Sequence, residues 1–153
     1  MFTSIVAAAA LQFQPLLSFR RSPSFDQPIS VEIGLLKTEG RAAYWFKKTA
    51  IEGDKTSVWW TDTERCPAAR SALRKIRNLQ MPRVNVPFLD DNEIRATADG
   101  VIYELWGNAN YRSGSAYEFK LASNTGTPLA DWVDESLETL SPGWSKEEPY
   151  NHI

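Results

Sequence analysis

The stretch TERCPAARSALRKIRNL (63–79) holds the chain's only cysteine directly before a proline and an amphipathic run. Ala69, Ala72, Leu73, Ile76 and Leu79 recur at helical spacing, and Arg70, Arg74, Lys75 and Arg77 occupy the other side, so a helix is predicted over about Pro67 to Leu79. A second helix is predicted over Pro128 to Leu140, with Leu129, Trp132, Val133, Leu137 and Leu140 inward and Asp131, Asp134, Glu135 and Glu138 outward. The two helices align without a gap at an offset of 61 residues, Pro67 on Pro128, Ala69 on Ala130, Ala72 on Val133, Ile76 on Leu137 and Leu79 on Leu140.

The same offset extends backwards, placing Trp60 on Leu121, Val58 on Phe119, Gly53 on Gly114 and Trp45 on Trp106. Before the first helix, ISVEIGLLK, RAAYWFKKTAI and KTSVWWTDT are rich in β-branched and aromatic residues and are separated by turn signals, which marks strands. Before the second, EIRAT, VIYELWGNANY and SAYEFKLAS read the same way, with an Asp99-Gly100 turn between the first two. The expected fold is therefore α+β: a tandem pseudo-repeat of antiparallel three-strand-plus-helix units, at about 29–80 and 90–141, forming one antiparallel sheet with two helices on one face. In architecture alone this is similar to the duplicated folds of some secreted protein inhibitors, and no motif residue carries over.

Length and composition fit one domain, expected over 29–153. With 153 residues, 42% apolar, and a net charge of only −2, the chain has enough apolar material for one sizeable core and lacks the signature of disorder. Charge is unevenly spread: residues 1–88 carry +6 and residues 89–153 carry −8. The opening MFTSIVAAAALQFQP has a short apolar run ending in small residues, so 1–10 reads as a signal peptide with a cut after Ala10. Residues 11–28, ending in the Ser- and Pro-rich SFRRSPSFDQP, read as a leader or linker. Gln12, Gln14 and Pro15 interrupt the apolar run well short of a membrane span. The expected location is periplasmic or secreted, with a cytoplasmic domain as the alternative.

Chemistry-bearing motifs are few. Cys66 precedes a proline at a helix start, between Arg65 and Arg70, a setting that lowers a thiol pKa. A cysteine nucleophile needs a base, and the sole histidine, His152, lies in the tail. One Cys and one His do not make a structural zinc site, and LDDNE (89–93) lacks calcium-loop spacing. No cofactor is expected. The basic helix suggests an anionic polymer, but a sequence pI near 5.5 speaks against nucleic acid.

Strand parity supplies the stronger expectation. Tyr44, Phe46, Val58, Trp60, Tyr103, Leu105, Tyr117, Phe119 and Leu121 are assigned to the helix-covered face. The opposite face then holds Trp45, Trp59 and Trp106 among Lys47, Glu104, Glu118 and Lys120, an aromatic surface suited to a protein or glycan partner. The reading is a small exported binding or inhibitor-type protein of the cell envelope. Its alternatives are a thiol-dependent enzyme or redox protein using Cys66, and an anionic-polymer binder using the basic helix.

Overall fold

A computed structural model describes residues 14–37, 40–83, 86, 89, 100–110 and 113–149. Its elements are β1 (Pro15–Pro23), β2 (Ile29–Lys37), β3 (Ala43–Glu52), β4 (Lys55–Asp62), α1 (Ala69–Ile76), β5 (Val101–Asn110), β6 (Ala116–Asn124) and α2 (Pro128–Leu140), followed by a 3₁₀ turn at Ser141–Gly143. The architecture is α+β, a six-stranded antiparallel sheet in the order β4-β3-β2-β1-β5-β6. Among the described residues no helix is long and apolar enough to cross a membrane.

Strand β1 corrects the reading of 11–28 as leader or linker. It pairs with β2 on one side and β5 on the other, and so joins β2-β3-β4 to β5-β6. Its residues alternate as a half-buried strand should: Leu17 and Phe19 face the helices, while Ser18 and Arg20 face away. Phe19 is 1% exposed and meets the Trp132 ring edge-on at 5.0 Å. The expected EIRAT strand and Asp99 lie outside the described residues, as do the proposed leader cut and His152.

Both helices pack on one face of the sheet, where Phe19, Val31, Ile33, Phe46, Tyr103 and Leu105 meet Ala69, Leu129, Trp132, Val133 and Leu140. The start of α2 is fixed locally. Thr127 is extended, its hydroxyl accepts from the Ala130 amide at 3.2 Å, and Pro128 stands where a missing N–H loses nothing. Helix α1 is shorter than expected and has no side-chain cap. The turn before it is organised instead by Asp62, whose Oδ1 accepts from the amides of Glu64 and Arg65 at 2.7 and 2.8 Å. The helices are tied by the Trp132 indole, which donates to the Ala72 carbonyl at 3.0 Å, and by Lys75 with Glu135 at 2.5 Å.

The hairpin between β3 and β4 decides what each face carries. Glu52 pairs with Lys55, leaving Gly53 and Asp54 as a two-residue loop, with Gly53 at φ +61° where a side chain would be strained. That loop sets Trp60 opposite Lys47, Val58 opposite Thr49 and Trp59 opposite Lys48. Directly paired residues share a face, so Val58 and Trp60 lie with Trp45 on the outer face and Trp59 lies on the helix side. This corrects the expected placement of all three. Between β5 and β6 five residues, 111–115, separate the closing pair Asn110 and Ala116, and Trp106 faces the same way as Lys120, as expected. An even and an odd loop length give opposite parities. Trp60 and Leu121, aligned by the 61-residue offset, consequently point to opposite faces.

Tyr103 ties the sheet to α2 and gives the fold a pH dependence. It is buried, and its hydroxyl donates to Asp134 Oδ2 at 2.8 Å, while Arg21 Nε contacts Oδ1 at 3.1 Å. Burial first, then the hydrogen bond and negative charge of Asp134, push the phenol above the ordinary tyrosine value of 10.0, with Arg21 opposing. The folded chain thus holds this proton more tightly than the unfolded chain. Its contribution to stability is complete below pH 10 and is lost as pH rises through the higher folded pKa. Urea unfolding from pH 9 to 11 should show a decline that is shallower in Tyr103→Phe. That variant should lose about 1 kcal/mol near pH 7 from the missing hydrogen bond. An unchanged decline in the variant would remove Tyr103 as its source.

Candidate functional site

The seven residues expected to form the outer aromatic surface divide into three groups. Trp45 is on the outer face but only 2% exposed; with Leu36, Ala43 and Trp60 it forms a second small core, Trp60 meeting it edge-on at 5.9 Å. The indole lies directly over Gly34, its partner on β2, where an added Cβ would fall 2.2 Å from Trp45 Cζ2. Glycine is required there by close approach.

Trp59 leaves the surface altogether. On the helix side it is held between Lys48, 4.4 Å from its ring centre, and Lys146, at 3.8 Å; Lys48 also reaches Trp144 at 5.0 Å. The segment after α2 thereby runs along β4, and Trp60 and Ser145 exchange backbone hydrogen bonds of 2.7 and 2.9 Å. Burial and the nearby Lys146 charge lower the Lys48 pKa, with Glu52 opposing.

Trp106 remains, together with Lys47, Glu104, Glu118 and Lys120. It is half-buried on the outer face of β5, with Lys120 Nζ 5.1 Å from its ring centre and Lys120 in turn 3.0 Å from Glu104. Beside it is a groove of about 290 Å³ between Trp106, Asn108 and Glu118 and the β1 residues Pro15 to Ser18. Gly107 lets β1 approach, since a Cβ there would meet Leu17 Cδ1 at 2.7 Å. Lys47 lies farther across the same face, paired with Glu32 at 3.2 Å and 5.7 Å from the Trp60 ring centre. Sequence alone does not reveal the β1 wall of the groove, because the Ser- and Pro-rich composition of 11–28 is that of a linker.

Cys66 is turned inward. It is 7% exposed, and its thiol faces the Thr139 carbonyl at 3.7 Å. Arg65 is engaged elsewhere, 3.4 Å from Asp62 and donating to the Glu147 and Glu148 carbonyls. Arg70 donates to the Ala42 carbonyl at 2.7 Å. The sulfur packs beneath Gly143, whose added Cβ would lie 3.4 Å from it. Among the described residues no group of three or more His, Cys, Asp or Glu side chains is placed to hold a metal ion.

No family model, no curated protein and no solved structure matches the chain. Function must be read from the site's own chemistry.

Proposed function

We propose that the chain is a small exported binding or inhibitor-type protein of the cell envelope that holds a protein or glycan on its outer sheet face at Trp106. The observation carrying this reading is the half-buried indole beside a groove, with Lys120, Glu104 and Glu118 around it. An indole offers a large rigid contact at small entropic cost, and the charges at its border supply orientation. Export rests on the apolar leader; a cut after Ala10 removes nothing of β1, which begins at Pro15. The internal duplication belongs to the same proposal. Trp45 and Trp106 share the outer face, and the stretches β3-β4-α1 and β5-β6-α2 follow the same order, whatever the differing registers of their hairpins.

The test is capture from envelope extract with wild type and Trp106→Ala, after their melting curves are shown to coincide. A half-buried indole at an interface centre is expected to contribute 2 kcal/mol or more, about a thirtyfold loss on truncation. A partner retained by the wild type and lost by the variant supports the site. Equal retention by both removes Trp106 from the interface.

A further inference from the structure

We propose a second binding site, independent of Trp106, in which Arg41, Arg70, Arg74 and Arg77 hold a compact ligand bearing a diphosphate group. These four arginines, with Tyr44 and Leu73, line a groove of about 340 Å³ between α1 and the start of β3. Among the described residues no carboxylate lines it. Arg70, Arg74 and Arg77 stand at i, i+4 and i+7, so they share one stripe of the helix and its extension, with Leu73 at its centre. The fourth arginine comes from a different segment. Arg70 Nη1 donates to the Ala42 carbonyl at 2.7 Å, which draws the residues before β3 against the helix and brings Arg41 to the stripe.

This arrangement is costly without an anion. Like charges at i, i+4 oppose a helix by a few tenths of a kcal/mol per pair. The helix dipole favours Arg74 in the last turn and Arg77 at the C-cap, but it disfavours Arg70 in the first turn and has no bearing on Arg41. Nor does α2 neutralise the stripe among the described residues: Glu135 takes Lys75, which stands off the arginine stripe, while Asp134 is occupied by Arg21 and Tyr103. Among the described residues Arg41, Arg74 and Arg77 make no ion pair.

The charge count selects the ligand. Guanidinium groups bind phosphate oxygens in a bidentate fork, and four of them match the charge of a diphosphate better than that of a single carboxylate. Tyr44 and Leu73 give the groove an apolar floor on which an attached organic group can rest. The site is small and local on a chain of net charge −2, and the helix packed against α1 carries the exposed carboxylates Asp131 and Glu138. An extended polyanion would meet repulsion beyond the groove; a compact one would not.

The experiment is calorimetric titration of the full chain with inorganic pyrophosphate and with orthophosphate, repeated on Arg41→Ala and Arg74→Ala, both exposed positions. Pyrophosphate should bind at least tenfold more tightly than orthophosphate, and either variant should weaken it tenfold or more, from loss of a charge-assisted hydrogen bond. Melting temperatures of the ligand-free variants should equal or exceed that of the wild type, which separates lost binding from lost folding. The proposal is overturned if pyrophosphate at millimolar concentration gives no heat, or if both variants bind as wild type. It is overturned equally if an oligonucleotide or vesicles of anionic phospholipid bind through these arginines more tightly than pyrophosphate does.

Discussion

Removing residues 1–24 is expected to abolish cooperative folding, whereas removing residues 1–10 should leave a chain that melts as a single unit. The difference is strand β1. It contributes both ladders that hold the sheet together, β1 with β2 and β1 with β5, and buries Phe19 in the centre of the helix-covered core. Full burial of Phe19 alone contributes about 1.5–3 kcal/mol, to which Leu17 and the hydrogen bonds of two ladders add. Loss of all of these approaches the whole stability of an ordinary domain, about 5–15 kcal/mol. Without β1 the facing edges of β2 and β5 would also be left unpaired, which favours aggregation. Circular dichroism during heating decides the matter: a sigmoidal transition in the longer truncation within a few degrees of wild type would show that β1 is dispensable.

Trp45→Ala should destabilise the chain by about 3–5 kcal/mol, the range for emptying a large aromatic side from a packed site. The size of this effect is unexpected for the outer face of a sheet. It follows from the closed cluster of Leu36, Ala43, Trp45 and Trp60, in which the indole is 2% exposed. Gly34→Ala approaches the same cluster from below. With only 2.2 Å between the added Cβ and the indole, the ring must move, and a loss of about 1–3 kcal/mol is expected. Urea denaturation measures both, read as a change in midpoint at constant slope. A midpoint for Trp45→Ala close to that of wild type would mean that Trp45 is a surface residue after all.

The legible and illegible parts of the chain differ for local reasons. Helix α2 could be read to the residue, because Thr127 and Pro128 start it by a mechanism visible in sequence and the apolar period persists to Leu140. Strands β2, β3 and β4 were legible from their β-branched and aromatic residues. Strand β1 was not: Pro15 and Pro23 at its ends and Arg20 and Arg21 within it gave the composition of a linker, and its apolar alternation is only Leu17 and Phe19. Its neighbours in the sheet are remote in sequence on the β5 side, and no local pattern encodes that pairing.

The candidate site was half legible. Alternation along β5 and β6 correctly joined Trp106, Glu104, Glu118 and Lys120. Alternation along β4 alone does not give its faces, because parity passes from strand to strand through the loop and the two-residue Gly53-Asp54 turn sets it. Burial of Trp45 depended on the missing side chain of Gly34 across the ladder, a relation set by the β2 to β3 register. The arginine groove needed Arg41 and α1 brought together through Ala42, which helix periodicity alone does not reveal.

The most direct measurement of the central claim is a set of indole-resolved nitrogen–proton spectra of the folded chain, recorded with and without the partner retained by the wild type. The Trp106 indole should shift or broaden on addition of the partner, while those of Trp45, Trp60 and Trp132 stay in place. A response confined to Trp59 or Trp144, or none at any indole, would contradict a binding site on the outer face at Trp106.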